Sequence, residues 1–258
     1  MPEGDTIHHA ANRIRPLLVG RVPDEIRAPH ARTSPQGWPE RLAGRAVIAV
    51  DAHGKHLFLR FDGGLTLHSH LRMTGAWGIY ARGRRWRRAA RRAWLVIGAG
   101  GWEVVEFDGP VLELLTDARA RGDQRIAGLG PDILATELDA PRILRRLRDD
   151  DPTRPIGDAL LDQRTVAGMG NIWKSEGCWE AGIDPWRPTG EVADAEALAI
   201  LSAVRPRMQH CAEHGMRARR DRVYARAGRP CARCGEVIRV RGQGDDNRRT
   251  FWCPGCQS

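Results

Sequence analysis

Cys231-Ala-Arg-Cys234 and Cys253-Pro-Gly-Cys256 decide the fold of the last part of this chain. Together they form a C-x2-C-x18-C-x2-C pattern. Each Cys-x-x-Cys turn can supply two thiolates to one tetrahedral Zn²⁺. Four cysteine ligands leave no open coordination position, so the pattern predicts one structural zinc. Disulfides are the alternative, and the cytoplasmic location argued below disfavours them.

The segment between the two cysteine pairs is predicted to be a β-hairpin. Residues 237–241 and 248–252 are the two strand-like runs, and residues 242–247 form the turn. Four arginines lie on this zinc-clasped hairpin and suit contacts with phosphates: Arg239, Arg241, Arg248 and Arg249. The two remaining cysteines, Cys178 and Cys211, are interpreted as buried apolar residues.

The first part of the chain is rich in short β-prone runs. An amphipathic helix is predicted first, over residues 5–20, with Gly20 as its stop. Six strand-like runs follow, at residues 46–50, 57–61, 65–70, 94–97, 103–107 and 111–115. Asp62-Gly63-Gly64 is typical of a hairpin turn. These signals favour a β-sandwich or a barrel.

Past residue 118 the pattern becomes helical. Helices are predicted over residues 140–148, 155–162, 171–181 and 193–210, followed by an arginine-rich linker at residues 216–229. We therefore expect an α+β multidomain chain with three parts: residues 1–118, 119–222 and 223–258.

Charge points to a polyanionic partner. The 258-residue chain has a net charge of +9 and a pI near 10.0, which suits nucleic acid or a membrane surface. There is no apolar run of about 18 residues and no signal peptide, so we expect no membrane span and a cytoplasmic location. Lys55 and Lys174 are the only lysines, and arginine is no amine nucleophile. A Schiff-base mechanism therefore has three candidate amines: these two lysines and the N-terminus.

The N-terminus offers one of these amines in an unusual form. Removal of Met1 would leave Pro2 first, with Glu3 beside it. A terminal proline is a secondary amine, which attacks a sugar aldehyde carbon to form a cationic iminium. Its pKa lies close enough to neutrality for a sizeable neutral fraction. Glu3 could carry protons for it.

A glycine-rich turn precedes one predicted helix. In residues 166–176 the turn Gly168-Met-Gly170-Asn171 opens the helix, and Asn171 is a good N-cap residue. Free N–H groups at such a helix start attract phosphate. A plain helix cap is the alternative.

A second basic segment, residues 82–92, lies between strand-like runs and contains seven arginines around Trp86. We call it the arginine loop. It is either a solvated loop or a phosphate contact with Trp86 interleaved.

Together these pieces resemble the formamidopyrimidine-DNA glycosylase/endonuclease VIII family. The matching stretches, in order along the chain, are residues 1–5, 53–59, 65–71, 73–75, 168–172, 223–231 and 250–254. The start Met-Pro-Glu-Gly-Asp-Thr is closer to the endonuclease VIII branch. The resemblance implies a two-layer β-sandwich with an N-terminal helix, a helix–two-turn–helix domain and a zinc-finger hairpin, with damaged DNA bound between the halves.

The resemblance also implies an activity and site residues. The family excises oxidised bases and then cleaves the strand by β,δ-elimination, as bifunctional DNA glycosylases and abasic-site lyases of base excision repair. Pro2 would attack C1′ of the damaged nucleotide, and Glu3 would protonate the sugar oxygen and shuttle protons. Lys55, Asn171 and Arg248 would bind phosphates. Lys55 has a solvated surface position as its alternative, and Arg249 replaces Arg248 if the register differs by one.

An inserted side chain must fill the space that a flipped base leaves. By resemblance Met73 occupies this wedge loop, with Leu71 and Arg72 beside it; we apply the name wedge loop to residues 71–75. The alternative for Met73 is a core residue after a strand. We expect a monomer acting on damaged DNA at the nucleoid.

Three departures from the family pattern bear on specificity. Asp5-Thr6 stands where many relatives have a Pro-Glu pair. Residues 117–122 contain arginines but lack the Phe that supports the orphaned base in the 8-oxoguanine-directed branch. The segment of residues 215–223 is short and leaves little room for the long loop that covers a flipped purine in that branch. The first puts in doubt any role of a second helical carboxylate in holding the base, and the other two favour oxidised pyrimidines over 8-oxoguanine or formamidopyrimidine lesions. Two other functions stay open: a non-catalytic DNA-binding protein on the same scaffold, and an unrelated zinc-ribbon protein that binds RNA or the ribosome.

Overall fold

The computed structural model describes residues 1–33, 36–149 and 151–258, which fall into two compact units. The first unit comprises Met1–Pro2 and Thr6–Ala127, and the second comprises Glu3–Asp5 and Gly128–Ser258. The three-part division at residues 118 and 222 stays a prediction.

Among the described residues, the first unit contains most of α1 (Gly4–Leu18) and eight strands. The strands are β1 (Glu25–Arg27), β2 (Val47–His53), β3 (His56–Phe61), β4 (Leu65–His70), β5 (Ala76–Ala81), β6 (Ala93–Ala99), β7 (Trp102–Phe107) and β8 (Val111–Thr116). Short helical segments complete it: α2 (Trp38–Leu42), a 3-10 turn at Ala90–Arg92, α3 (Asp117–Gly122) and α4 (Gln124–Ala127).

Two antiparallel sheets form the body of this unit, with strand orders β1-β6-β7-β5 and β2-β3-β4-β8. Alternating residues of each sheet, such as Leu57, Leu59 and Leu95, are buried in one apolar core together with Ile7 and Ile14 of α1. Burial of such side chains is the main force that holds the two layers together. The predicted two-layer sandwich with an N-terminal helix is therefore confirmed.

The sequence underestimated the number of strands in this unit. All six predicted runs are strands, but β1 and β5 were missed. In β5, Gly78 interrupts the apolar pattern; a Cβ there would lie 2.6 Å from Cε2 of Tyr80, so glycine leaves room for that ring. The predicted helix is also shorter than expected, since α1 ends at Leu18.

The second unit is helical with a terminal hairpin. Its elements are α5 (Ala140–Asp149), α6 (Ile156–Ala159), α7 (Asn171–Ala181), α8 (Asp194–His214), β9 (Arg239–Gln243) and β10 (Arg248–Trp252), with 3-10 turns at Thr189–Glu191 and Met216–Ala218. An apolar core that includes Trp173, Ile200 and Val204 joins α7 to α8. Of the described residues, no helix is long and apolar enough to cross a membrane.

Two predicted elements of this unit need correction. The predicted helix at residues 155–162 is α-helical only over Ile156–Ala159. The first hairpin strand runs over Arg239–Gln243 and not over residues 237–241, because Val237 forms an isolated bridge with Pro230 instead of pairing with β10.

A buried carboxyl in the first unit generates a pH prediction. Ser69 Oγ donates to Glu106 Oε1 over 2.6 Å, and burial raises the pKa of Glu106 from 4.5 to about 8. The folded chain then binds more protons than the unfolded chain between those values, so stability falls as pH rises through that window, by up to about 1.4 kcal/mol per pH unit. Glu106→Gln removes this contribution. Melting temperatures of both proteins from pH 5 to pH 9 should be closest at pH 5 and separate as pH rises, because only the wild-type protein has a buried group that ionises. Parallel curves would contradict the prediction.

Candidate active site

Glu3 is seated at the N-terminus of α7. Its side chain is 1% exposed, and its two carboxylate oxygens accept from the backbone N–H groups of Ile172 (2.9 Å) and Trp173 (3.3 Å). These N–H groups have no partner inside the helix, and the helix dipole adds further stabilisation of negative charge. The buried carboxylate is thus compensated and held in one position.

Three glycines make this close approach possible. A Cβ on Gly170 would lie 2.3 Å from Glu3 Cδ, and a Cβ on Gly4 would lie 2.8 Å from Gly168 Cα. Gly168 has φ +99°, which disfavours other residues. Gly4 N–H also donates to Gly168 O over 2.9 Å. The turn was predicted to cradle an anion, and the anion it receives is Glu3 itself.

The N-cap prediction was wrong. The N-cap is Gly170, and Asn171 is the first residue of α7. The Asn171 side chain is buried and its Nδ2 donates to the carbonyl oxygen of Arg249 over 2.8 Å. Asn171 therefore links the glycine turn to β10, and its phosphate contact stays a prediction.

Asp5 is a second buried carboxylate in this region that the sequence did not identify. It is 1% exposed and accepts from Trp173 Nε1 over 2.9 Å. The residue was noted only as a departure from the family pattern. The hydrogen bond between Asp5 and Trp173 could not be predicted from the sequence, because the two residues lie far apart along the chain.

Lys174 is an unsuitable nucleophile. It is 0% exposed, and its Nζ donates to Gln243 Oε1 over 3.0 Å and to Thr250 Oγ1. Burial lowers its pKa to about 8. The amine joins α7 to both hairpin strands, so of the three candidate amines the Pro2 nitrogen and Lys55 are left.

Lys55 lies in the first unit, in the two-residue turn between β2 and β3. His53 pairs with His56 across this turn, and Gly54 has φ +56°. Burial, followed by the positive charges of Arg72 and Lys55, lowers the pKa of the nearby His70 to about 4. Lys55 is half-buried, so the fully solvated alternative is not favoured.

The wedge loop follows β4. Leu71 is 2% exposed and belongs to the sandwich core, whereas Met73 is 64% exposed. The core alternative for Met73 is therefore wrong. Arg72 and Thr74 are also exposed, so the loop presents three side chains to solvent and is anchored by Leu71.

Arg248 and Arg249 are both exposed on β10. Arg248 donates to Asp246 Oδ2 over 2.8 Å, and both partners are exposed, so this pair contributes little to stability. Arg249 lies over the Phe251 ring at 5.5 Å. The guanidinium group of Arg249 therefore packs on an aromatic ring, whereas that of Arg248 contacts an exposed carboxylate.

The four predicted zinc ligands come together. The Sγ atoms of Cys231, Cys234, Cys253 and Cys256 all lie within 4.8 Å of one another, and three of the pairs are 3.4–3.7 Å apart. A tetrahedral site with Zn–S bonds of about 2.3 Å places its sulfurs about 3.8 Å apart. Trp179 Nε1 also lies 3.4 Å from Cys231 Sγ, as N–H donors do around thiolate ligands. The donor set fits one zinc with no open position.

Comparison with known proteins agrees with this geometry. Residues 1–122 match the formamidopyrimidine-DNA glycosylase N-terminal domain, and residues 129–222 match the formamidopyrimidine-DNA glycosylase H2TH domain. The chain belongs to the formamidopyrimidine-DNA glycosylase family. The predicted family is thereby confirmed.

Individual relatives place the chain within this glycosylase family. A protein named probable endonuclease 8 2 from Streptomyces coelicolor is 42% identical over all of this chain and 94% of its own length. The DNA-(apurinic or apyrimidinic site) lyase Nei2 of Mycolicibacterium smegmatis is 36% identical over 100% and 99% of the two chains. These names agree with the predicted endonuclease VIII branch.

The fold of this glycosylase family is shared with a solved structure. Lactococcus lactis Fpg in complex with DNA containing N7-benzyl-Fapy-dG matches with a TM-score of 0.84 over 100% of both chains, at 22% identity. At this identity the match establishes the fold alone.

Glu176 is another important residue that the sequence did not identify. It is 0% exposed, and it accepts from the backbone N–H groups of Arg222, Val223 and Tyr224 at 2.9 Å each. Arg207 pairs with its second oxygen at 2.8 Å. The local sequence gave no signal for it, because α7 also contains Asn171, Lys174, Ser175 and Glu180. The partners that a buried charge needs come together only in the folded chain.

Zinc removal generates the prediction for this site. Cys234→Ser should lose the metal and unfold the hairpin, because metal binding and folding are coupled in small metal-clasped elements. Zinc content per chain measures the loss, and DNA binding should weaken in parallel. Cys211→Ala, outside the cluster, is the control and should keep one zinc. A Cys234→Ser protein that still holds one zinc would contradict the four-ligand assignment.

Proposed function

We propose that the chain is a bifunctional DNA glycosylase and abasic-site lyase that excises oxidised bases, with Pro2 as the nucleophile. The observation that carries the proposal is the buried carboxylate of Glu3 at the N-terminus of α7. One peptide bond joins this fixed carboxylate to Pro2. A proton carrier is thus held beside the amine that needs it.

The reaction begins when removal of Met1 frees the Pro2 nitrogen. Its lone pair forms a bond to C1′ as the bond from C1′ to the base breaks, and the base leaves with its electron pair. The Pro2 nitrogen then loses its N–H proton to the Glu3 carboxylate, and Glu3 passes this proton to the sugar ring oxygen, which leaves C1′ and gives the open-chain iminium. Loss of a C2′ proton then expels the 3′ phosphate, and the second elimination expels the 5′ phosphate. Water finally releases the sugar fragment from Pro2.

Phosphate recognition is assigned to three side chains. Lys55 is supported by its half-buried turn position beside His70 and Arg72, where positive charge is concentrated. Arg248 is supported by its exposure on β10, and Asn171 by its link to the same strand. Such contacts position the duplex and contribute affinity without reading sequence.

Oxidised pyrimidines are the proposed lesions. A long, free segment after α8 could cover a flipped purine. In this chain the segment of residues 215–224 is short, and its end is fixed because the backbone N–H groups of Arg222, Val223 and Tyr224 donate to Glu176.

Four thiolates in tetrahedral proximity support one structural Zn²⁺ in the hairpin. The wedge loop fills the space of the flipped base with Met73 and Arg72, on the support of their exposure.

Covalent trapping tests the nucleophile. Borohydride should reduce the iminium and leave wild-type protein attached to duplex DNA carrying one oxidised pyrimidine. An N-terminal tag that blocks the Pro2 amine should abolish the adduct, because an amide nitrogen has no available lone pair. Gel analysis of the adduct is the measurement. Lys55→Ala should still form the adduct in the same borohydride assay. An adduct that forms with the N-terminally tagged protein but not with Lys55→Ala would assign the nucleophile to Lys55.

Salt dependence tests the phosphate contact of Arg248. Arg248→Ala should weaken binding across sequences and reduce the slope of log K against log salt by about 1, because one fewer counterion is released. Binding titrations at several salt concentrations measure the slope. Arg249→Ala is the matched comparison on the adjacent residue and should leave the slope unchanged. If only Arg249→Ala lowers the slope, the register assigned to the hairpin is wrong by one.

A further inference from the structure

The wedge loop has a constrained backbone. Gly75 N–H donates to Leu71 O over 2.9 Å, and a Cβ on Gly75 would lie 2.8 Å from that same oxygen. Arg72 adopts φ +46°, a left-handed conformation that a residue with a side chain holds only when its surroundings impose it. The loop therefore has one defined shape, with Met73 at its exposed tip.

A side chain holds the loop at each end. At the start, His70 Nδ1 accepts from Arg72 N–H over 3.2 Å. At the end, Arg88 Nη1 donates to the carbonyl oxygen of Thr74 over 2.9 Å. The same Nη1 donates to Asp108 Oδ2 over 2.6 Å. Arg88 thus bridges the wedge loop to the residue that follows β7.

Asp108 fixes this bridge from the other side. Its carboxylate accepts from Arg92 Nε over 2.9 Å and pairs with Arg92 Nη2 at 2.7 Å, and its own N–H donates to Arg92 O over 2.9 Å. Burial raises the pKa of Asp108, but hydrogen bonds from Arg92 and Arg88 outweigh this effect and leave the pKa below its ordinary value. The carboxylate is therefore ionised and orients both guanidinium groups.

The arginine loop is also anchored by its aromatic residue. Trp86 packs against Tyr80 and Phe107, and its Nε1 donates to Glu103 Oε2 over 3.0 Å. This anchoring answers part of the question that the sequence left open. Trp86 packs in the apolar cluster with Phe107, and a phosphate contact of this loop stays a prediction.

Within the described part of the chain, the arginines of this loop fall into two groups. Arg82, Arg88 and Arg92 pair with carboxylates. Arg84, Arg85, Arg87 and Arg91 are exposed and have no carboxylate oxygen within the 4.0 Å of an ion pair. The second group supplies control positions with the same charge in the same loop.

We propose that Arg88, oriented by Asp108, is a positioning residue that sets the shape of the wedge loop before the duplex arrives. This inference rests on the proposed function, in which the loop enters the space of a flipped base. Unstacking a duplex step is costly, and a loop that had to order at the same moment would add to that cost. A loop already held in shape avoids the added cost. The benefit exists only on duplex DNA, because a single strand has no stack to enter.

The test compares Arg88→Ala with Arg85→Ala on two substrates: a duplex with one oxidised pyrimidine and a single strand with one abasic site. Single-turnover rates are measured at saturating enzyme. Arg88→Ala should slow excision from the duplex by roughly tenfold or more and leave single-strand cleavage within about twofold of wild type. Arg85→Ala removes the same charge and should leave both rates within about twofold. Equal rates for Arg88→Ala and wild type on the duplex, or equal losses on both substrates, would overturn the proposal.

Conservative variants separate positioning from loss of the fold. Arg88→Lys retains one donor and should restore most of the duplex rate. Asp108→Asn keeps a residue type that tolerates positive φ and should reproduce the Arg88→Ala defect. The double variant should be no slower than either single variant, since both act through one bridge. Additive losses would contradict this coupling.

A binding measurement keeps the inference distinct from the proposed chemistry. 2-Aminopurine next to an uncleavable abasic analogue in a duplex reports unstacking without any bond cleavage. Arg88→Ala should reduce the fluorescence rise on binding, and Arg85→Ala should not. If the wild-type protein gives no borohydride adduct but Arg88→Ala still shows a smaller fluorescence rise than wild type and Arg85→Ala, the proposed nucleophile is refuted and the positioning role is supported. Equal fluorescence from both variants would refute the positioning role alone.

Discussion

The contact between the Glu3 carboxylate and the first N–H groups of α7 is the constraint on which the proposed chemistry depends. It places a buried negative charge where a helix N-terminus compensates it, and it fixes the residue joined to Pro2. The glycines at positions 4, 168 and 170 matter because side chains there would occupy the space of the carboxylate or of the backbone that approaches it. The position of the proposed proton carrier and the local fold therefore have the same cause.

The second unit contains buried charged groups that link its elements, in addition to its apolar core. Lys174 joins α7 to both hairpin strands, and Glu176 joins the same helix to the segment after α8. Both are fully buried, and each has several partners, as buried charges require. Helix α7 thus organises Glu3, the hairpin and the segment from Arg222 to Tyr224 at once, which makes it the structural centre of this unit.

Much of this organisation was predictable from local pattern. Short β-prone runs predicted six of the eight strands that the structure describes in the first unit, the glycine turn predicted the start of α7, and cysteine spacing predicted the metal-ligand cluster. The strand β5 was missed because Gly78 breaks its apolar pattern for the sake of the Tyr80 ring. The N-cap position is Gly170, and the first N–H groups of α7 donate to the side chain of Glu3 and not to that of Asn171. Asn171 was therefore misassigned, because Glu3 lies about 170 positions away along the chain and helix propensity describes only neighbouring residues.

By itself, then, the sequence determined the family, most of the helices and strands, and the cluster of four cysteines, because periodicity, turn composition and ligand spacing are local properties. Tertiary structure alone decided which anion binds at the glycine turn, which of the two lysines is fully buried, and which arginines form ion pairs with carboxylates. Those outcomes depend on contacts between residues such as Thr74 and Arg88 or Lys174 and Gln243, which burial and charge compensation select only when the chain is folded.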